Sequence, residues 1–191
     1  MTTTAAATST WQIDPAHTVV EFAAKHMMVS TVKGRFGSVA GTLTVDEERP
    51  ERSSVVATID AASIDTRAEL RDEHLRSADF FDVAHHPQIT FRSRRVQHVK
   101  GDNWKIVGDL TMRGVTGEVV LETEFEGQIL DAFGKQRAAF SATAQVNRKD
   151  FGLNWNGVIE AGGVVVGDRI KIELNIAAVR DEAAADAERA A

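Results

Sequence analysis

Residues 138–147 read Ala-Ala-Phe-Ser-Ala-Thr-Ala-Gln-Val-Asn, and an apolar side chain recurs there at every second position. Successive side chains of a β-strand point to opposite faces, so this period predicts a strand with one buried and one solvated face. The same period marks five other segments: TVVEFAAKH (18–26), ITFRSRR (89–95), WKIVGDLTM (104–112), EVVLETEFE (118–126) and IKIELNI (170–176). The sequence therefore predicts an all-β protein.

A less regular segment, residues 32–45, also resembles a strand. Regular alternation would place the side chains of Phe36 and Leu43 on opposite faces of this strand. A β-bulge near Gly37 or Gly41 would bring them to one face. Such bulges also help a sheet to curl, so this irregularity is compatible with a closed sheet.

The links between the predicted strands are short. A further strand is predicted at 53–60, and turn-forming residues separate the later strands at 100–103, 113–117 and 131–135. Short links make consecutive strands antiparallel, because a parallel pair needs a long crossover. The expected fold is an antiparallel barrel of about eight strands, a number whose closed barrel can hold one small ligand.

Two segments depart from the strand pattern. Residues 65–77 have apolar positions at helical spacing and predict a short helix, while residues 150–157 predict an irregular loop that carries Phe151 and Trp155. The chain is expected to have three parts: a flexible N-terminus (1–10), a single barrel domain (11–179) and a C-terminal tail (180–191).

The composition excludes several classes of protein. With 22 Lys and Arg against 28 Asp and Glu, the net charge is −6, which argues against nucleic-acid partners and disfavours anionic membrane surfaces. The chain has no cysteine and no apolar run of the roughly 20 residues that a transmembrane helix needs. Its first residues lack the pattern of a signal peptide, so a soluble, cytoplasmic protein without a transmembrane segment is expected.

The inward-facing rows contain many small residues. Ala24, Gly108, Ala138, Ala142 and Ala144 are interspersed with the aromatic residues Phe22, Phe91, Phe125 and Phe140. Small residues between large apolar ones leave volume unfilled, which is typical of an apolar ligand pocket. The alternative is that the small residues allow close packing or a tapering barrel.

Polar chemistry is sparse in the sequence. We find no nucleotide-binding, zinc-protease or serine-hydrolase motif. The adjacent His85 and His86 would point to opposite faces of a strand, so no metal site is predicted, and no catalytic residue is assigned. His26 and Arg148 each stand at the end of a row of inward-facing residues on a predicted strand. At the mouth of the barrel they could bind the polar head group of a lipid. The alternative for Arg148 is an ion pair with Asp150 or another acid.

An ordered series of short motifs is similar to the YceI family of lipid-binding proteins. The series includes Trp11-Gln12-Ile13-Asp14-Pro15, Arg71-Asp72-Glu73-His74-Leu75, His86-Pro87-Gln88-Ile89-Thr90-Phe91, Gly108-Asp109-Leu110-Thr111-Met112-Arg113-Gly114 and Val166-Gly167-Asp168-Arg169. The resemblance extends from about Trp11 to Val179. It implies a lipocalin-like barrel that holds a polyisoprenoid chain, no cofactor, no established catalytic residues, and a homodimer as in many relatives.

Pattern and resemblance together predict a carrier or sequestering protein for a long isoprenoid lipid, of the isoprenoid quinone or prenyl phosphate type. The residues expected to contact the lipid are Phe22, His26, Phe36, Phe91, Phe125, Phe140, Arg148, Phe151 and Trp155. Two alternatives remain open. One is a small-molecule isomerase or hydrolase that uses a cavity histidine such as His26 as its base. The other is a stress-related protein whose cavity is incidental.

Overall fold

The computed structural model describes residues 8–157 and 164–182, and most of them lie in strands. The strands are β1 (Thr8–Ile13), β2 (Val19–His26), β3 (Ser30–Phe36), β4 (Val39–Asp46), β5 (Ser54–Asp60), β6 (Ile64–Asp65), β7 (Gln88–Lys100), β8 (Asn103–Met112), β9 (Val115–Leu130), β10 (Gln136–Asn147) and β11 (Val166–Arg180). The helix α1 (Glu69–Arg76) follows β6, and short 3-10 helices follow β4, β5 and β10. None of the helices in these two ranges is both long and apolar enough to cross a bilayer.

Eight antiparallel strands close into a barrel in the order β1-β4-β5-β7-β8-β9-β10-β11. The ring closes where β1 pairs with the C-terminal part of β11, with Trp11 opposite Arg180 and Ile13 opposite Ala178. The N-terminal part of β11 pairs instead with β2, and β3 and β6 continue the sheet from there. The predicted antiparallel, eight-stranded, lipocalin-like barrel with a short helix between strands is confirmed.

The segment 32–45 was expected to be one strand with a β-bulge, but the structure divides it into two strands with different partners, separated at Gly37 and Ser38. β3 ends at Phe36 and β4 begins at Val39, because the chain bends at Gly37 and Ser38. The Gly37 amide donates a hydrogen bond to the Ser63 carbonyl outside the ladder. This break shifts the alternation of inward and outward side chains by one residue, so Phe36 and Leu43 both face the barrel interior.

The barrel begins earlier than the sequence predicted. Thr8, Ser9 and Thr10 were expected to be flexible, but they belong to β1, whose residues pair with Thr42–Asp46 of β4. Ser9 is 2% exposed and its hydroxyl accepts a hydrogen bond from the Trp11 indole. The backbone ladder holds this strand without the apolar alternation that identified the others. At the other terminus β11 includes Arg180; residues 1–7 and 183–191 lie outside the described ranges.

The two ends of the barrel differ in how they are built. We call the end that carries α1, the β2–β3 turn and the β8–β9 turn the helix end. We call the opposite end, with the β7–β8 and β9–β10 turns, the hairpin end. At the hairpin end the interior is filled by a cluster around Trp11, Ala138 and Ala178, all of them buried. This filling leaves the middle and the helix end of the interior for a cavity.

Candidate functional site

An apolar cavity of about 280 Å³ lies inside the barrel. Its wall on β11 includes residues from Val166 to Ile176, and because a β-bulge lies between Val166 and Ile170 this stretch spans about 26 Å at roughly 3.3 Å per ladder position. The described lining residues are apolar except for Glu21, Thr123 and Arg148, and Glu21 belongs to the outward-facing row of β2. A narrow, long and apolar space fits a linear hydrocarbon chain better than a compact polar molecule.

Four of the predicted aromatic residues line the cavity: Phe22, Phe36, Phe91 and Phe140. They lie on four different strands, β2, β3, β7 and β10, so they surround the space from several sides. Phe22 and Phe36 also contact each other, with ring centroids 5.7 Å apart. Their location agrees with the sequence pattern, and their contact with a ligand stays a prediction.

Only some of the small inward residues create open space. Ala24 and Ala142 line the cavity. The position of Gly108 is occupied instead by Phe91, whose Cζ would lie 2.5 Å from a Cβ placed on the glycine. Ala138 similarly packs in the cluster with Trp11. Some of the small inward residues therefore line the cavity, while others allow close packing of an aromatic ring, which was the alternative that the sequence left open.

Three predicted aromatic residues lie outside the described cavity lining. Phe125 packs on Phe140, with ring centroids 5.3 Å apart, in the cluster that fills the hairpin end. Phe151 is 3% exposed in the main core. Trp155 is half-buried and packs on Phe80 at the helix end, with ring centroids 5.3 Å apart. All three pack against other side chains, and none of them lines the described cavity.

The helix end of the barrel has an apolar cover that was not predicted from the sequence. Leu75 on α1, together with Phe80 and Phe81 in the turn that follows, lines the cavity. His74 holds this cover in place, because its ring lies edge-on to both Phe80 and Trp155 and its Nε2 is 2.9 Å from Asp79 Oδ2. The adjacent apolar residues Phe80 and Phe81 were visible in the sequence, but strand alternation gave no indication that they face the barrel.

Arg148 lies beneath the loop at the helix end instead of at an open mouth. β10 ends at Asn147 and the chain turns into a 3-10 helix, which leaves the Arg148 side chain only 4% exposed. Its five N–H donors all have acceptors: the carbonyl oxygens of Gly167 (3.1 Å), Leu153 (2.5 Å), Trp155 (2.8 Å) and Val166 (3.3 Å), and Asp168 Oδ1 (3.3 Å).

This arrangement argues against the head-group role that the sequence suggested for Arg148. A guanidinium with all its donors engaged cannot bind a phosphate without releasing loop carbonyls, which are costly to leave unpaired. The alternative of an ion pair with an acid was closer, although the acid is Asp168 and not Asp150. Burial lowers the pKa of Arg148 from its ordinary value, partly offset by Asp168. Arg148 is a structural clamp on the loop.

His26 ends β2 and is half-buried, but it is not among the described residues that line the cavity. It pairs with Ser30 and Val166 across the neighbouring strands, and its carbonyl accepts a hydrogen bond from the Ser30 hydroxyl. No histidine in residues 8–157 and 164–182 lines the cavity. An enzyme that uses a cavity histidine as its base therefore has no such base in the described wall. Nor do three or more metal-ligating side chains converge within these ranges.

The hairpin end is held by a network of charges centred on Arg137. The guanidinium donates to Asp14 Oδ2 and Asp131 Oδ2, each at 2.7 Å, and so links the β9–β10 hairpin to the bend between β1 and β2. His17 also lies 2.9 Å from Asp14. The hydrogen bonds from Arg137 and His17 lower the pKa of Asp14 from 3.8 to about 2. None of these groups faces the described cavity.

Comparison with known proteins agrees with this geometry. Residues 11–178 match the sequence model of the YceI-like domain. The chain belongs to the YceI family. Among its relatives is a UPF0312 protein of Staphylococcus aureus (strain N315), which is 37% identical over 163 residues that cover 85% of this chain and 92% of the relative.

Solved structures share the YceI fold. BcnA of Burkholderia cenocepacia superposes with a TM-score of 0.76 at 21% identity, covering 86% of this chain and 98% of BcnA. A polyisoprenoid-binding domain from Saccharophagus degradans, described as implicated in plant cell wall breakdown, superposes with a TM-score of 0.66 at 16% identity, covering 90% and 98%. The Campylobacter jejuni YCEI protein is 30% identical, with a TM-score of 0.63 and coverage of 79% and 88%.

Proposed function

We propose that this YceI-family protein binds a long isoprenoid lipid inside the barrel and carries or sequesters it without catalysis. The observation that carries the proposal is the long cavity, whose described wall is apolar from Val166 to Ile176 of β11. Each buried CH₂ group contributes about 0.8 kcal/mol, so a long chain can bind there without specific polar contacts. The family relationship and the solved polyisoprenoid-binding domain of the same fold support the same ligand class.

The state of Arg148 favours an uncharged head group, as in an isoprenoid quinone, over a prenyl phosphate. Arg148 is the one cationic residue among the described cavity-lining residues, and its donors are already engaged. An anionic head inside the cavity would have no free cation there and would carry a large desolvation cost. A prenyl phosphate could place only its chain inside. A cytoplasmic location and a homodimer also stay predictions.

The direct test is mass spectrometry of an organic extract of the purified protein, followed by titration of the delipidated protein with added lipids. We expect an isoprenoid lipid in the extract and tighter binding of an isoprenoid quinone than of a prenyl phosphate of equal chain length. An extract without lipid, combined with no uptake of either compound, would contradict the proposal. Turnover of a bound compound would favour the enzymatic alternative.

A variant that fills the cavity provides the matched control. Ala142 lines the cavity, whereas its neighbour Thr143 points outward and is exposed. Ala142→Phe should abolish uptake of the quinone, and Thr143→Phe should leave uptake unchanged. Equal uptake by both variants would show that the lipid binds elsewhere. A similar circular dichroism spectrum for the two variants would confirm that both are folded.

A further inference from the structure

The turn between β2 and β3 exposes three consecutive apolar side chains. Met27, Met28 and Val29 are 43%, 59% and 83% exposed, and we call them the β2–β3 tip. The backbone of Met27 and Met28 is left-handed, with φ of 49° and 63°. Asn and Gly are the residues that favour such a turn. Neither the turn geometry nor the protein core therefore accounts for apolar residues at this position.

A row of cations lies directly beside the tip. Lys171 on β11, Ala23 on β2 and Lys33 on β3 are cross-strand partners, so their side chains share one outward face. Lys25 and Arg169 lie on the same face two residues nearer the tip. All four cations are exposed, and none forms an ion pair with another described residue. We call Lys25, Lys33, Arg169 and Lys171 the basic patch.

The basic patch contrasts with the rest of the molecule. The chain as a whole has a net charge of −6. Two residues further along each strand towards the hairpin end, the same outward face carries the cross-strand pair Glu173 and Glu21. Near the patch, Asp168 is already paired with Lys149 and Arg148. Positive charge is thus concentrated on this outward face of β2, β3 and β11, beside the apolar tip.

We propose that the β2–β3 tip and the basic patch form a docking surface for an anionic lipid bilayer. In this arrangement the tip inserts among the lipid head groups and the four cations contact the anionic ones. An apolar segment flanked by Lys and Arg is the combination that binds membrane interfaces. The same strands line the cavity on their inner side, with Ala24 on β2 and Ile170 on β11. The surface does not depend on which lipid occupies the cavity.

The test measures sedimentation of the full chain with vesicles that contain no isoprenoid. We expect binding to vesicles of equal parts phosphatidylcholine and phosphatidylglycerol, and little binding to phosphatidylcholine alone. Raising the salt from about 0.1 M to 1 M shortens the screening length from about 10 Å to 3 Å and should release the protein. Lys25→Gln together with Lys33→Gln should weaken binding about fivefold for each lysine.

A second variant tests the tip without threatening the fold. Met27→Asn, Met28→Gly and Val29→Ser together install residues that favour the left-handed turn, so the melting temperature should not fall. Binding to the anionic vesicles should fall at least about tenfold, because the inserted apolar side chains are lost. The matched control changes the exposed Ile129 and Phe133 of the hairpin end to serine and should bind as the wild type does.

Three results would overturn the proposal. The first is equal binding, or no binding, of the wild type to the two kinds of vesicle. The second is a loss of binding by the Ile129 and Phe133 control as large as that of the tip variant. The third is a wild type that is dimeric by light scattering and binds no vesicles, together with a tip variant that is monomeric. The tip would then contact a second copy of the chain.

Discussion

The two ends of the barrel are each fastened by an arginine, but by different chemistry. At the helix end Arg148 is buried and binds four backbone carbonyls and one carboxylate, so its positive charge is compensated mainly by dipoles. At the hairpin end Arg137 is 30% exposed and binds the carboxylates of Asp14 and Asp131. Burial lowers the pKa of Arg148, whereas the two acids raise the pKa of Arg137.

This difference indicates what each contact contributes. Removing a buried donor leaves several carbonyls without partners, and desolvated groups are costly to leave unpaired. Removing a partly exposed ion pair leaves groups that water can solvate. The cavity lies next to the first kind of contact and is separated from the second by the cluster around Trp11. The helix end should therefore control both stability and ligand binding, and the hairpin end mainly the acid stability.

The largest effect is expected from Arg148→Met. The substitution leaves the carbonyls of Leu153, Trp155 and Gly167 unpaired, and because each buried acceptor without a partner costs about 1–3 kcal/mol, a loss of about 3 kcal/mol or more is expected. Urea unfolding should show this loss in the free energy of unfolding. The control is the exposed Arg169→Met, which should change stability little. A loss no larger than that of the control would contradict the clamp role.

A somewhat smaller effect is expected from Gly108→Ala. The added Cβ would lie 2.5 Å from Phe91 Cζ and 2.6 Å from the Arg92 carbonyl oxygen, so the ring and the backbone must both shift. Overpacking of this kind costs about 1–3 kcal/mol, and displacement of Phe91 into the cavity should also weaken quinone uptake. Calorimetry and lipid titration measure the two effects. Unchanged values in both would mean that the wall adjusts freely.

A decrease of a few degrees in melting temperature is expected from Arg137→Ala at neutral pH, with quinone uptake unchanged. Thermal unfolding followed by circular dichroism measures the first quantity and lipid titration the second. If quinone uptake fell together with the melting temperature, the hairpin end would also affect ligand binding, contrary to what the structure indicates.

The acid dependence of the wild type sharpens the same comparison. The pKa of Asp14 is lowered from 3.8 to about 2, so its contribution to stability is present above about pH 4 and is lost as the pH falls through about 2. Stability should fall across this window in the wild type. The fall should be smaller in Arg137→Ala, which has already lost the main hydrogen bond to Asp14. Equal slopes of melting temperature against pH would contradict this assignment.

Exposed residues at the hairpin end should have the smallest effect. Phe133 is 88% exposed at the tip of the β9–β10 turn, whose backbone is held by hydrogen bonds from the amides of Phe133 and Lys135 to Asp131 Oδ1. Phe133→Ser keeps these bonds, so the free energy of unfolding should stay within about 0.5 kcal/mol of the wild type. Chemical denaturation measures this difference, and a larger loss would mean that Phe133 has a partner in the folded protein.

Most barrel strands after β1 were predictable because alternation is a local signal, but β6 was not predicted and β3 and β4 were expected to form one strand. Residues 138–147 and 170–176 alternate in the sequence, and both lie within strands of the barrel. β1 was not predicted, because its Thr8–Thr10 segment is held by backbone pairing with β4 and has no apolar alternation. Phe22, Phe91 and Phe140 were correctly placed on the inner face by regular alternation alone, whereas placing Phe36 there required a break in the alternation between Phe36 and Leu43.

Other positions depended on contacts between residues far apart in the sequence. Phe125 has the same inward parity as the cavity-lining Leu121, but the cluster with Trp11 fills the interior at its level. Phe80 and Phe81 reach the cavity because the turn after α1 folds over the helix end. Arg148 continues an inward row in the sequence, but the chain bends away after Asn147 and places it under the loop.

The sequence by itself determined most of the strands, their antiparallel arrangement and an apolar inner face, because each depends on side chains at short spacing. Only the tertiary structure decided which small residues leave space, since that depends on whether an aromatic ring from another strand occupies it. The same holds for charge. The net charge of −6 follows from composition, but the collection of Lys25, Lys33, Arg169 and Lys171 on one face follows from the register of three strands, because register sets which side chains become neighbours.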